Sequence, residues 1–473
     1  MTSNIQPIFS LLLVLFFSLS NIFPANAISI IEEKKVAKEF MKMVESSKSI
    51  IHDPIVTHMT RSVAERILEH LPDQPFEYHF YVIQDDTFNA FASPASNIFI
   101  NTGLIASLET VDELAGVIAH EIAHAASRHV SQSIDRSKIV SAGTLAGVLA
   151  GILIGSKSDE DLGQSITIGS MALGQSAMLS FTRENETEAD QKGLTLLQKS
   201  CFSPEGLLSG LIKIRAADWK GVEGIPDYFK THPGTKSRIA HLVSLMENQS
   251  LPPHRCTEDF RYDMIRNRII GIYANADKAQ KTLTSNWRDD PDNPAINYGL
   301  ALVLARKSRV DEAISHLKTA LKSNPFDPLV LLEIGRLHLL EGNPSKALAM
   351  LRPIEFEPVV STNAAFLIAR AQLESGKIGP ATKGFEKVIY QEPDAFPRAY
   401  YHLAESYSLQ KEPGLSHYYL GMYYTRIHNR KNAVFHYKKA VKTLKDSAKA
   451  DAAKEKIKQL EKEMFDEKRK SAS

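Results

Sequence analysis

The N-terminal part of the chain shows a helical hydrophobic pattern followed by a strand pattern. Apolar residues recur at helical spacing across 31–70, which predicts helix. Across 76–82 they instead alternate with polar or smaller residues, which predicts a strand. After a turn at Pro94, a second short strand is predicted at 97–103, with Gly103 ending it.

Thr110 and Glu113 mark the start of the next helix. They have the T-x-x-E form of a capping box, in which each side chain bonds a free backbone N–H of the other residue. A helix is therefore predicted to begin at Val111.

Two apolar stretches rich in Gly and Ala follow, at 139–154 and 165–179. Gly143, Gly147 and Gly151 recur every four residues, which suits either close helix packing or a membrane contact. The first stretch is shorter than the roughly 20 residues that span a bilayer. We therefore favour a buried or substrate-facing hairpin over a membrane span.

From Asn293 the pattern changes to paired helices that repeat. Asn293-Pro294 and Asp327-Pro328 lie 34 residues apart, the period of the tetratricopeptide repeat (TPR). In that register small residues recur at the expected helix–helix contacts: Ala301, Gly335 and Ala369 in the first helices, and Ala313, Ala347 and Ala381 in the second. A half unit is predicted at 397–413 and a last unit from Gly414. Such an array leaves a concave surface for a peptide or a protein partner.

The first 27 residues have the features of a secretory signal. Ile8 to Leu19 is an apolar run of the right length, and Ala25-Asn26-Ala27 is a small-residue cleavage site. No Lys or Arg precedes the run, so an uncleaved anchor is the alternative. We expect export to the periplasm, with cleavage after Ala27.

Composition narrows the class of protein only slightly. The chain of 473 residues is 43% hydrophobic and 23% charged, which is typical of a folded protein with more than one domain. Its net charge of +1 gives no reason to expect nucleic acid as a partner. Cys201 and Cys256 are its two cysteines, and whether they pair stays open at this point.

The helix after Thr110 contains the motif His120-Glu121-Ile122-Ala123-His124. Two histidines four residues apart lie about 40° apart around a helix, so both imidazoles can bind one zinc ion. Glu121 projects beside the pair, where it can take a proton from a water molecule that attacks a carbonyl. The pattern predicts a metalloprotease site.

A second helix, beginning at Ser180 or Thr182, offers the third ligand. Glu186 and Asp190 are i, i+4 neighbours, so Glu186 can bind zinc while Asp190 accepts the far N–H of a ligand imidazole. By this reasoning alone, Glu184 and Glu188 are equally good ligands, and an ordinary acidic surface is a further alternative.

Three separated motifs together resemble one family. His120 to His124, Glu186-Thr-Glu-Ala-Asp190 and Thr231-His-Pro-Gly-Thr-Lys-Ser-Arg238 resemble the gluzincins that include the CAAX prenyl endopeptidases and the HtpX-type quality-control proteases. Asn89-Ala-Phe-Ala is similar to the substrate-binding edge strand of that family. The signal sequence and the repeats resemble its periplasmic TPR-bearing branch, which assists β-barrel assembly.

The resemblance implies a role for each site residue. It makes His120, His124 and Glu186 the ligands of one Zn²⁺ per chain, Glu121 the general base and Asp190 the support of a ligand. His232 and Arg238 would stabilise the oxyanion of the tetrahedral intermediate. In the TPR-bearing branch, the residue equivalent to His232 can instead be a fourth ligand that keeps the enzyme latent.

These observations predict a mainly α (α+β) protein. We expect a signal peptide at 1–27, a helical zinc-metalloprotease domain with a small β-sheet at 28–258 and linker helices at 259–292. An α-solenoid of TPRs at 293–445 and a charged helical tail at 446–473 would complete the chain.

By resemblance, the expected function is hydrolysis of misfolded or misassembled outer-membrane proteins in the periplasm. The TPR array would deliver them or dock the outer-membrane β-barrel assembly machinery, and peripheral membrane association is compatible with this role. The alternatives are a chaperone or docking module with a latent protease domain, and an integral membrane protease.

Overall fold

A computed structural model describes residues 28–47, 50–137, 143, 147, 181–219, 232–247, 260–445 and 447–471. Several predicted features lie outside these ranges: the signal peptide, its cleavage site after Ala27, Thr231, Cys256 and most of 139–179. Cys201 is disulfide-bonded, and Cys256 is the other cysteine of the chain. Among the helices of the described ranges, none has both the length and the apolar character needed to cross a membrane.

The chain divides into two units, which we call the N-terminal unit (1–50 and 63–259) and the C-terminal unit (51–62 and 260–473). The described elements of the N-terminal unit, with the helix shared by both, are α1 (Ile30–Ser46), α2 (Pro54–Leu68), β1 (His79–Ile83), β2 (Ala90–Ser93), β3 (Asn97–Asn101), α3 (Thr102–Ser107), α4 (Val111–Ala126), α5 (His129–Ser137), α6 (Arg183–Lys199), α7 (Glu205–Trp219) and α8 (Thr235–Glu247). The boundary at residue 62 falls within α2.

The small sheet has the strand order β1-β3-β2. β3 pairs in parallel with β1 and antiparallel with β2, so β2 is an edge strand. The predicted strand at 97–103 ends earlier than expected, at Asn101. Gly103 lies instead in the first turn of α3, where a Cβ would collide with the carbonyl of Asp86.

Side-chain caps start the helices that carry the predicted motifs. Thr110 accepts a hydrogen bond from the N–H of Glu113, so α4 begins at Val111 as predicted. Glu113 does not complete the box. Its carboxylate accepts a bond from the N–H of Glu109 and is also bonded by Lys213. Of the two predicted starts of α6, Thr182 is the cap, and its partner is Asn185.

The C-terminal unit is a succession of helices: α9 (Tyr262–Tyr273), α10 (Ala276–Asp289), α11 (Pro294–Arg306), α12 (Val310–Ala320), α13 (Pro328–Leu340), α14 (Pro344–Leu351), α15 (Ser361–Glu374), α16 (Ile378–Gln391), α17 (Pro397–Leu409), α18 (Pro413–Arg426), α19 (Arg430–Thr443) and α20 (Ser447–Ser471). Asn293 and Asp327 cap α11 and α13 with their side chains, and the proline that follows each occupies the first helical position.

The predicted small residues allow paired helices to approach closely. A Cβ at Gly335 would lie 2.6 Å from the Leu351 side chain. In the last predicted unit, which begins at Gly414, a Cβ at Gly421 would likewise lie 2.6 Å from the ring of Tyr437. At the end of the array, Leu460 of α20 packs in a cluster with Tyr437, so the charged tail covers the last repeat. The prediction of a mainly helical fold with a small sheet and a helical solenoid is confirmed.

Candidate metal centre

Helix α4 is buried along nearly its whole length, and glycines let two other helices approach it. A Cβ at Gly116 would lie 2.5 Å from the backbone N of Leu207, so α7 packs directly on the backbone of α4. On the side of the histidines, a Cβ at Gly193 of α6 would lie 3.3 Å from the backbone N of His120. This close approach places the acidic residues of α6 beside the motif of α4.

Four buried side chains converge at this point: His120, His124, Glu186 and His232. His120 Nε2 lies 3.0 Å from His124 Nε2 and 3.4 Å from His232 Nδ1. Glu186 Oε1 lies 3.3 Å from His124 Nε2 and 3.0 Å from His232 Nδ1. The four ligand atoms all lie within 4.8 Å of one another.

This spacing fits a tetrahedral metal ion. Bonds of 2.0–2.1 Å, the length found for zinc, place the ligands of a tetrahedral ion about 3.3–3.4 Å apart. The distances from His120 Nε2 and Glu186 to their neighbours, 3.0 to 3.6 Å, lie on both sides of that value. Three imidazole nitrogens and a carboxylate are also the donor set that a borderline-soft divalent ion accepts.

Asp190 and Arg238 hold the outer side of the cluster. Asp190 Oδ1 lies 3.0 Å from His120 Nδ1, as expected for a carboxylate that supports a ligand imidazole. The guanidinium of Arg238 donates two hydrogen bonds of 2.8 Å to Asp190 and forms an ion pair with Glu186. Arg238 is therefore engaged with the carboxylates of the site, and its predicted contact with an oxyanion stays a prediction.

The two carboxylates are kept ionised despite their burial. Burial raises the pKa of Glu186, but the nearby His232 and Arg238 outweigh it and hold that pKa well below its ordinary value. Burial likewise opposes the ionisation of Asp190, and hydrogen bonds from Arg238 and His120 lower its pKa to about 2. Arg238 supplies one positive charge against these two carboxylates, so a net negative charge remains that attracts a cation.

The predicted base, Glu121, lies between the cluster and the edge strand. Its Oε2 accepts a hydrogen bond of 2.9 Å from the backbone N–H of Ala92 in β2. Its Oε1 lies 3.7 Å from His232 Nε2 and has no hydrogen-bond partner within the described part of the chain. One oxygen of Glu121 is thus held by the strand, while the other can accept a proton.

The structure distinguishes between the acidic residues that spacing left equivalent. Glu186 is buried in the cluster, whereas Glu184 and Glu188 are exposed on α6. Glu188 bonds His129 instead. This choice depends on which face of α6 packs against α4. The i, i+4 spacing does not specify that face.

Sequence reasoning missed two residues that contact a predicted ligand, His124. The ring of Phe181 stacks on His124 with centroids 4.0 Å apart, and His129 Nδ1 lies 3.0 Å from His124 Nδ1. His129 follows His124 by five residues. Its nearness to the motif is a signal in the sequence, but that spacing does not by itself predict a contact. Phe181, which precedes the cap of α6, carried no signal of its own.

Two family models match the chain: Peptidase family M48 at residues 53–246 and Tetratricopeptide repeat at residues 274–331. Similar relatives include the Beta-barrel assembly-enhancing protease of Escherichia coli (strain K12), 26% identical over 78% of this chain and 75% of the relative. The protein of the same name in Yersinia pestis is 28% identical over the same shares. The Mitochondrial metalloendopeptidase OMA1 of Schizosaccharomyces pombe is 28% identical over 45% of this chain and 61% of its own length.

The buried cluster of possible metal ligands on α4 and α6 is what a metalloendopeptidase requires. It therefore agrees with the match to a peptidase family and with the similarity to these relatives. The chain therefore carries a metalloendopeptidase domain of peptidase family M48, followed by tetratricopeptide repeats.

Proposed function

We propose that this chain is a zinc endopeptidase of the periplasm that hydrolyses misfolded or misassembled outer-membrane proteins. The single observation that carries the enzymatic part is the convergence of His120, His124, Glu186 and His232 at the spacing of tetrahedral ligands. The compartment and the substrate class are supported by the names of the relatives and by the signal-like first 27 residues. The TPR array would deliver these substrates or dock the outer-membrane assembly machinery.

One zinc ion per chain would be held by His120, His124 and Glu186, with His232 as a fourth ligand. Bound there, zinc would supply Lewis acidity towards a peptide carbonyl and would lower the pKa of a water molecule. Asp190 fixes the ring of His120 by accepting its Nδ1–H. The donor set favours zinc because imidazole and carboxylate are its usual ligands in catalytic sites.

The residues around the cluster support hydrolysis of an extended peptide. Ala92 directs its N–H away from β3 and towards Glu121, so the outer edge of β2 runs past the base. A peptide that adds to this edge as a further strand lies beside Glu121. The Oε1 of Glu121 takes a proton from the attacking water and returns it to the leaving amine.

His232 favours a latent resting state. A catalytic zinc site keeps one position open, whereas the Nδ1 of His232 lies within the ligand cluster here. This geometry supports the second candidate, a docking module whose protease domain is held inactive until His232 moves. The two candidates differ in whether the chain hydrolyses protein at rest.

Metal content and casein cleavage of the mature chain test the proposal, with wild type beside Glu121→Gln and His232→Ala. We expect one zinc per chain in wild type and in Glu121→Gln, with cleavage lost in the latter because no base remains. His232→Ala should cleave faster than wild type if it opens the latent site, whereas a loss of cleavage assigns His232 to oxyanion stabilisation. A chain that binds no zinc, or that binds zinc and is inactive in every variant, contradicts the protease proposal.

A further inference from the structure

His129 lies buried against a metal ligand, although it belongs to no predicted motif. It is the first residue of α5, and the turn before it passes through Arg128, whose φ is 53°. A non-glycine residue in this left-handed region is held there by its surroundings. Arg128 bonds the buried carboxylate of Glu33 through Nε at 3.0 Å and the carbonyl of Ile28 at 2.7 Å. These bonds fix the turn that brings His129 to His124.

The hydrogen bonds of His129 have a definite direction. His124 faces the cluster with Nε2, which must offer a lone pair to an ion, so its proton is on Nδ1. That Nδ1 lies 3.0 Å from His129 Nδ1, which must then be the acceptor. The proton of His129 is consequently on Nε2, which lies 3.3 Å from Glu188 Oε2 and donates to it.

The outer end of this chain of bonds is anchored at the surface. Glu188 accepts hydrogen bonds from Ser127 Oγ at 2.8 Å and from Lys192 Nζ at 2.7 Å. Its side chain is 46% exposed, whereas His129 is fully buried. Two hydrogen bonds therefore link a buried ligand to a carboxylate at the surface.

We propose that His129 is a positioning residue that fixes the tautomer and ring orientation of His124, and that Glu188 in turn fixes the tautomer of His129. The inference rests on the proposed metal site. It gives His124 a support separate from the one that Asp190 gives His120. Partners of this kind typically change metal affinity by roughly 10- to 100-fold.

The test compares substitutions that keep or remove each acceptor in the mature chain. His129→Asn keeps an acceptor close to the position of Nδ1, and His129→Leu removes it. Glu188→Gln keeps an oxygen acceptor, Glu188→Ala removes it, and Glu184→Ala on the exposed face of the same helix is the control. The Zn²⁺ dissociation constant is measured by chelator competition, and the visible spectrum of bound Co²⁺ reports ligand geometry.

We expect His129→Leu to weaken Zn²⁺ binding roughly 10- to 100-fold and to alter the Co²⁺ spectrum, with His129→Asn within a few-fold of wild type. Glu188→Ala should show a smaller loss that Glu188→Gln restores, and Glu184→Ala should show none. Because Glu188 is at the surface, the comparison of Glu188→Ala with Glu188→Gln tests the inference even if His129→Leu does not fold.

Equal affinity and equal spectra across wild type, His129→Leu and Glu188→Ala overturn the inference while leaving the metal site intact. An equal loss in His129→Asn and His129→Leu overturns the assigned hydrogen bond. A wild type that binds neither ion removes the proposed function, and this inference with it.

Discussion

At the scale of single residues, Arg238 links two buried carboxylates of the candidate metal centre. Its guanidinium bonds both oxygens of Asp190 at 2.8 Å and pairs with Glu186. Glu186 is a proposed metal ligand, and Asp190 is the proposed support of another. A planar fork suits two carboxylates at once, whereas an ammonium group is a single point charge. The geometry therefore favours a role in holding the ligands.

Arg238→Lys tests that role. Because lysine cannot bridge both carboxylates, we expect Zn²⁺ affinity to fall roughly 10- to 100-fold, measured by chelator competition. Lys236→Ala, at an exposed position of the same helix, is the control and should bind as wild type does. Unchanged affinity with a lower kcat at saturating zinc would instead assign Arg238 to the oxyanion.

At the scale of elements, α4 and α7 pack so closely that only glycine fits at the crossing. A Cβ at Gly206 would collide with the carbonyl of Asp112, at the start of the helix that carries His120 and His124. Four residues further along α7, a Cβ at Gly210 would make only ordinary contacts, the nearest at 3.6 Å from the carbonyl of Glu113.

Gly206→Ala should therefore destabilise the N-terminal unit by about 1–3 kcal/mol, the usual cost of overpacking. The matched Gly210→Ala should be neutral or slightly stabilising, because alanine favours helix. Urea unfolding followed by circular dichroism measures both, and similar midpoints for the two variants would contradict the assigned crossing.

At the scale of the whole molecule, a segment from early in the chain belongs to the C-terminal unit. Residues 51–62 group with the repeats, and Asp53 is bonded there by Arg268 Nε at 2.7 Å and by Tyr273 Oη at 3.2 Å. Arg268 also bonds Glu333 at 2.9 Å, so it lies buried between two carboxylates. The helical array is completed by a segment more than two hundred residues away along the chain.

Asp53→Ala should destabilise the C-terminal unit by about 3–5 kcal/mol, because it removes one partner from a buried ionic cluster. Hydrogen exchange of the full chain should show faster exchange in α9 and α13. Asp73→Ala, at an exposed position of a loop, is the control and should change stability by less than about 0.5 kcal/mol. A fragment that begins at 260 and matches the full chain in exchange would contradict this prediction.

The same cluster predicts a pH dependence. Burial raises the pKa of Glu333, but Arg336 and Arg268 outweigh it and lower that pKa to about 2. Its contribution to stability is therefore complete above the ordinary value of 4.5 and is lost as the pH falls from there towards about 2.

The melting temperature of the C-terminal unit should accordingly fall less between pH 6 and pH 2 for Glu333→Gln than for wild type. Glu312→Gln is the control, because its ion pair with Arg309 is exposed and contributes little. Identical pH profiles for Glu333→Gln and wild type would show that Glu333 does not carry the effect.

Several features of this protein could be predicted from the sequence because they depend on neighbours along the chain. His120 and His124 could be paired because both lie on one helix, and the cap Thr110 depends only on the backbone beside it. Thr182 was one of the two caps that the sequence allowed for α6. The TPR period could be found because each repeat packs mainly on the next.

The tertiary structure decided what depends on the meeting of distant segments. Spacing left Glu184, Glu186 and Glu188 equivalent, and the contact of Gly193 with the backbone of His120 turns Glu186 inward. His129 reaches His124 after a turn at Arg128, whose side chain bonds Glu33, nearly a hundred residues earlier. Helical period determines which residues share a face, but packing between helices determines what that face meets.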